Sequence, residues 1–128
     1  MKNFILFFLF TTAAMLMLAG CKDKFNAIEG KVYYYEDTVY QFTAGFDNDT
    51  MYYIMKDQGP PRFHKSPFTA KKVNDSVFTI QVTSKPKFWE KDTWEITVRN
   101  DNEFLSTESG KKYDRYKIGM QELKDAFK

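Results

Sequence analysis

Apolar and polar residues alternate along most of the chain after residue 27, with short polar breaks between the alternating segments. A period of two is typical of strands that bury one face. The clearest case is residues 93–99, where Trp94, Ile96 and Val98 share one face. The pattern predicts eight strands, at residues 28–35, 38–46, 51–56, 68–73, 76–83, 93–99, 103–107 and 112–118.

Two long loops and one helix complete the pattern. Residues 58–67 carry three prolines, which lack the N–H that a central strand donates, so this segment is predicted to be a loop. Residues 84–92 form the second loop. Near the C-terminus, Met120, Leu123 and Phe127 recur at helical spacing and predict a short helix that docks on the sheet through these three residues.

Sequential strands joined by short turns are most simply closed into a barrel, because closure removes both exposed edges. The predicted fold is therefore all-β, an eight-stranded antiparallel up-and-down meander or barrel with a short C-terminal helix. An open sheet curled over the helix is the alternative. Five aromatic residues are predicted to line the interior, where they either pack solid or wall an apolar pocket: Tyr34, Tyr40, Phe42, Phe78 and Trp94.

The first residues follow a different pattern. Lys2 precedes an apolar run from Phe4 to Leu18, which is shorter than the roughly 20 residues that cross a bilayer as a helix. This layout predicts a signal peptide over residues 1–20. It leaves residues 28–128 as one domain, joined to the N-terminus by a mobile polar tether at residues 21–27.

Leu18-Ala19-Gly20-Cys21 resembles the lipobox of bacterial lipoproteins. The resemblance implies cleavage before Cys21, acyl chains on that residue and anchoring in the cell envelope, with the outer membrane expected. Lys22-Asp23 matches the beginning of a surface-export signal of Bacteroidetes-type lipoproteins, which leaves the periplasmic and the surface face open. As the only cysteine, Cys21 has no partner for an intramolecular disulfide.

Composition narrows the class of protein. Lysine and arginine total 19 against 17 acidic residues, and the two signs are interspersed, which argues against a nucleic-acid partner. An aromatic content of 18% argues against disorder and favours a sheet.

The strand meander, Arg115 in the last strand and the C-terminal helix resemble the calycin group, and in particular the small lipocalin-like lipoproteins of Bacteroidetes-type bacteria. That resemblance implies a β-barrel that holds a small apolar ligand. Of the lipocalin signature Gly-x-Trp, only the glycine is present, as Gly30.

Catalytic and metal-binding groups are sparse. His64 is the only histidine, so a histidine-based metal cluster is not expected. Asp47 and Asp49 fit a turn, since the remaining residues of a calcium loop are missing. Neither Ser66 nor Ser109 has a histidine and carboxylate nearby in sequence. The sequence therefore predicts no enzyme, no metal and no cofactor.

Aromatic residues in the loops suggest recognition. Phe63, Phe88 and Trp89 are predicted to form either an exposed patch or a lid over one end of the barrel. Ser109-Gly110-Lys111-Lys112-Tyr113 resembles the Ser-Gly-x-x-Tyr motif of membrane-bound lysozyme inhibitors, which implies that Ser109 and Tyr113 would enter a lysozyme cleft.

Taken together, these features predict a membrane-anchored envelope protein that is a non-enzymatic binding module for a small apolar ligand or an envelope protein. A periplasmic lysozyme inhibitor is the alternative. The sequence does not define the oligomeric state.

Overall fold

The computed structural model describes residues 23–128. They form eight strands and two short helices, in the order α1 (Asp23–Asn26), β1 (Val32–Glu36), β2 (Gln41–Asp47), β3 (Thr50–Lys56), β4 (Arg62–Lys72), β5 (Val77–Val82), β6 (Thr93–Asn100), β7 (Glu103–Ser106), β8 (Lys112–Arg115) and α2 (Met120–Asp125). In this range no helix has the length and apolar character needed to cross a membrane.

The strands form a closed antiparallel barrel in sequence order. Each strand pairs with the next, and β8 returns to β1 through the pairs Tyr33↔Arg115 and Tyr34↔Asp114. The barrel predicted from the strand pattern is therefore confirmed, and the open-sheet alternative is wrong.

Strand β4 is longer than its sequence suggests. Residues 58–67 were expected to be a loop, but β4 begins at Arg62 and continues through Pro67. The proline is tolerated because it ends the ladder with β3, where it faces Thr50, and the next residue, Phe68, already pairs with β5. Its carbonyl oxygen still accepts a hydrogen bond from the Thr83 backbone N–H at 3.0 Å. The missing donor therefore falls at the point where β4 changes partners.

One end of the barrel is filled by the N-terminal segment, and we call it the closed end. It comprises α1 and the turns at residues 48–49, 73–76 and 101–102. Phe25 is 1% exposed, and its ring lies 5.4–5.9 Å from those of Phe46, Phe68 and Phe78. The expectation of a mobile tether over residues 21–27 is wrong from Asp23 onward, because Phe25 belongs to the core.

Helix α2 packs on the outer face of β2. A Cβ atom at Gly45 would lie 2.7 Å from Leu123 Cδ2 and 2.9 Å from Met120 Cε, so the helix approaches the strand where there is no side chain. Just beyond the helix, Phe127 makes an edge-to-face contact with Tyr52 at 5.2 Å. The predicted docking of the helix through Met120, Leu123 and Phe127 is confirmed.

Aromatic rings fill the barrel from the closed end to its middle. Phe104 contacts Tyr33 at 5.1 Å, Trp94 at 5.7 Å and Tyr113 at 4.9 Å between ring centroids. Phe46 joins this group to Phe25 below it. The lower part of the interior is therefore a packed core. Phe25 and Phe68 also border a pocket of about 210 Å³ beside the turn at residues 48–49, and an aromatic-lined pocket lies near the opposite end.

Candidate functional site

The open end of the barrel is formed by the loops at residues 37–40, 57–61, 83–92 and 107–111. A pocket of about 240 Å³ lies there, between the β5–β6 loop, the β7–β8 turn and the upper parts of β2, β3 and β6. Five aromatic residues line it, and seven polar or charged residues complete its walls. The aromatic residues are Phe42, Tyr53, Trp89, Trp94 and Tyr113, and the others are Glu90, Lys91, Thr93, Ser106, Glu108, Ser109 and Lys111.

Strand alternation positions most of these rings. Phe42, Tyr53, Trp94 and Tyr113 each lie on the inward face of a strand, and all of them contact other core aromatics. Trp89 reaches the same space from the β5–β6 loop, with its ring 5.4 Å from Tyr53 and 5.6 Å from Trp94. The loop therefore forms one wall of the pocket.

Polar atoms inside the pocket are bonded to one another. Trp94 Nε1 donates to Ser106 Oγ at 3.0 Å, and the hydroxyl oxygens of Tyr53 and Tyr113 share a hydrogen bond at 3.1 Å. Burial raises the pKa of Tyr53 and that of Tyr113 well above the ordinary tyrosine value. Both phenols therefore remain neutral at physiological pH, and the pocket interior is uncharged.

Charged residues are confined to the rim, where two lysines and two glutamates line the pocket. Lys91 forms an ion pair with Glu108. Glu90 is exposed. Lys111 is half-buried, and its Nζ lies 4.9 Å from the ring centroid of Phe42. A positive charge over a ring face is a favourable cation–π geometry.

Lys111 owes its position to the β7–β8 turn. Gly110 has φ 72°, a left-handed conformation that suits glycine, and its N–H donates to the Ser106 carbonyl at 2.8 Å. Ser109 Oγ accepts a hydrogen bond from the Lys111 backbone N–H at 3.3 Å. The Ser-Gly pair thus shapes the turn that places Lys111 at the mouth of the pocket.

Of the five aromatic residues expected to line the interior, Phe42 and Trp94 line the pocket. Tyr40 is 39% exposed at the rim and stacks on Phe42 at 5.7 Å. Phe78 lies inside the barrel, as predicted, but it packs against Phe25 at the closed end and is not among the residues that line this pocket. Of the two predicted alternatives, a packed core describes this position, because α1 fills that end.

Tyr34 is also placed differently from the expectation. Its neighbour Tyr33 is fully buried and contacts Phe104 inside the barrel, so Tyr34 points outward and lies against Tyr116 at 4.7 Å. The predicted inward face of β1 is therefore wrong. Burial on both faces explains the error, because Val32 is fully buried as well as Tyr33. Val32 pairs with Gly45 and lies on the outer face, next to the strand that α2 covers.

The predicted recognition residues fall into two groups. Trp89, Ser109 and Tyr113 all line the pocket, although Tyr113 is 2% exposed and faces inward. Phe63 and Phe88 instead line a second pocket of about 330 Å³, together with His64. Phe88 also lies 5.8 Å from Tyr53, so it acts partly as a lid over the barrel. Cys21 lies outside the described residues.

Seven residues that line the pocket were not predicted as site residues from the sequence: Tyr53, Glu90, Lys91, Thr93, Ser106, Glu108 and Lys111. Tyr53 occurs in a run of apolar and aromatic residues without alternation, so its face was ambiguous. A signal for Ser106 existed, as it lies two residues after Phe104 on the same strand face. No sequence pattern distinguishes Lys111 from its neighbour Lys112.

His64 and Ser66 are not arranged as a catalytic pair. His64 Nε2 lies 2.6 Å from the Ser84 carbonyl oxygen, and the Ser66 hydroxyl donates to the Pro67 carbonyl at 2.9 Å. Among residues 23–128 there is also no group of three or more histidine, cysteine, aspartate or glutamate residues that could hold a metal ion.

The fold and the pocket define the class of protein as a closed eight-stranded antiparallel β-barrel with an aromatic-walled pocket at one end. No protein-family profile, curated protein or solved structure matches the chain.

Proposed function

We propose that this protein is a lipid-anchored envelope protein whose lipocalin-like barrel binds a small apolar ligand without transforming it. The observation that carries the proposal is the pocket of about 240 Å³ at the open end of the barrel, which is lined by five aromatic residues. The other end of the barrel is filled by core side chains. Small-molecule sites are typically concave, mostly apolar and furnished with a few polar groups.

The size of the pocket limits the ligand. An apolar protein cavity of about 150 Å³ is large enough for benzene, so this pocket suits one or two rings, not a long acyl chain. The hydroxyls of Tyr53, Ser106 and Tyr113 already have hydrogen-bond partners within the protein. Contact with aromatic faces would therefore supply most of the binding energy.

The alternative of a lysozyme inhibitor receives less support. In that proposal Ser109 and Tyr113 would enter the cleft of another protein, but the Tyr113 side chain is buried and bonded to Tyr53. Presenting it to a partner would require breaking the core of the barrel. We therefore retain ligand binding as the proposed function.

Ligand binding is tested with 1-naphthylamine, a dye of two rings that is neutral at pH 7 and whose emission shifts in apolar surroundings. We expect about one dye per folded protein, together with quenching of the tryptophan emission, since both tryptophans of the chain line the pocket. Phe42→Trp should fill the pocket and reduce binding, whereas Tyr34→Trp, on the outer face, should not. Absence of saturable binding by the folded protein would reject the proposal.

Anchoring is tested separately, because it depends on Cys21 and not on the pocket. Cys21→Ser should remove the acyl chains and release the protein from the membrane fraction into the soluble envelope fraction. Ser109→Ala, far from the N-terminus, is the control and should remain in the membrane fraction. If wild type and Cys21→Ser fractionate alike, the anchor is not a lipid on this cysteine.

A further inference from the structure

Lys111 occupies an unusual place for a charged side chain. Its ammonium group lies 4.9 Å from the ring centroid of Phe42, 5.1 Å from that of Tyr35 and 5.6 Å from that of Tyr40. The residue also lines the pocket, so the positive charge lies where the aromatic walls meet solvent. The surrounding rings hold the charge at the mouth and reduce its contact with water.

The other charges at the rim are already neutralised or face solvent. Lys91 and Glu108 pair with each other, and Glu90 is exposed. Asp37, whose carboxylate interacts electrostatically with Lys111, accepts hydrogen bonds from the Tyr35 hydroxyl at 2.6 Å and from the backbone N–H groups of Val39 and Tyr40. Within residues 23–128, Lys111 forms no ion pair.

An ammonium group has three N–H donors, and ring faces do not replace hydrogen-bond acceptors. A carboxylate or sulfonate that reaches Lys111 would gain a charge-assisted hydrogen bond in a place with little competing water. The aromatic rings below Lys111 would at the same time contact a flat apolar part of the same molecule. Charge and shape therefore point to the same ligand.

We infer that the pocket selects a flat aromatic ligand of one or two rings that carries one anionic group, with the anion held by Lys111 Nζ. This inference rests on the proposed function, and it specifies the ligand class of the same pocket. Phe42, Trp89 and Trp94 would contact the rings, while Lys111 would determine the preference for a negative charge.

The test uses two dyes with the same ring system, titrated into residues 22–128. This range includes all strands and the Phe25 plug, so its core is complete. 1-Naphthylamine is neutral at pH 7, and 5-aminonaphthalene-1-sulfonate adds only the sulfonate to the same two rings. We expect the sulfonate dye to bind about tenfold more tightly, as one charge-assisted hydrogen bond allows. Raising the salt concentration should weaken the sulfonate dye more than the neutral dye.

Variants at residues 111 and 112 test whether Lys111 causes the preference for the sulfonate dye. Lys111→Met should remove the preference for the sulfonate dye, measured as the ratio of the two dissociation constants, whereas Lys111→Arg should keep the preference. Lys112→Met is the matched control, because Lys112 is exposed and already lies 3.4 Å from Asp114. Thermal melting of each variant checks that it is folded.

The outcomes separate this inference from the proposed function. If the neutral dye binds and the sulfonate dye binds no more tightly, the anion preference is wrong and the binding module stands. The same conclusion follows if the preference survives in Lys111→Met. If neither dye binds to the folded protein, the proposed function itself fails.

Discussion

Phe25 contributes more to this structure than its place in the sequence suggests. It follows a short polar stretch and has no strand around it, yet its ring contacts three core phenylalanines at the closed end. No periodic pattern marks this position, because a single anchoring side chain has no period. Its role depends on tertiary contacts that close the barrel from below.

Removing the ring should leave a cavity at the closed end. We expect Phe25→Ala to lower the free energy of unfolding by about 3–5 kcal/mol, the usual cost of deleting a buried phenylalanine side chain. Phe63→Ala is the control, since Phe63 is 49% exposed and should cost much less. Urea denaturation followed by circular dichroism measures both. Equal and small losses would mean that Phe25 does not plug the barrel.

At the scale of elements, alternation and the turn signals between segments predicted eight strands paired in sequence order, because most strands bury one face. It did not predict which face points inward on β1, where Val32 and Tyr33 are both fully buried. Nor did it predict the first half of β4, where a proline stands at a change of strand partner. Both errors arise from contacts between elements that are distant in sequence.

The pocket was predictable only in part, for a similar reason. Phe42 and Trp94 follow from strand alternation, and Trp89 from an aromatic residue in a long loop. Lys111 joins them because Gly110 turns the chain back toward the barrel mouth. The composition of a turn predicts that the chain reverses direction, but it does not predict which residues the following side chain will contact.

Helix α2 provides a test at this scale. It has six residues, too few to be stable alone, so its order depends on Leu123, which is fully buried on the outer face of the barrel. We expect Leu123→Ala to cost about 3 kcal/mol in unfolding free energy and to increase amide hydrogen exchange in the helix. Leu105→Ala, at a half-buried position on β7, should cost less and leave exchange in the helix unchanged. Normal protection of the helix in Leu123→Ala would contradict this account of its docking.

For the whole molecule, the ionisation of three buried tyrosines is coupled to the stability of the barrel. Burial raises the pKa of Tyr33 from 10.0 to about 12, and it raises the values for Tyr53 and Tyr113 as well. The folded state therefore holds these protons more tightly than the unfolded chain does. Their contribution to stability is fully present below pH 10 and is lost as the pH rises through the folded-state values.

We therefore expect the barrel to lose stability steadily above about pH 10 and to unfold in strong alkali. Tyrosinate absorbance should show a late, cooperative ionisation that coincides with loss of the circular dichroism signal. Tyr113→Phe should make stability less dependent on pH in this range. Tyr116→Phe, on the outer surface beside Tyr34, should leave the dependence unchanged. An ionisation of all eight tyrosines near pH 10 without unfolding would contradict this prediction.

The chain enters the barrel at the end opposite the pocket, so an N-terminal anchor would determine which end of the barrel faces the membrane. Asp23 begins the plug, only two positions after Cys21, while the pocket opens among the loops about 20 Å away, as seven-residue strands dictate. An anchor at Cys21 would hold the filled end against the lipid headgroups. The mouth would then face the aqueous side, so a ligand would be captured from solution and not extracted from the bilayer.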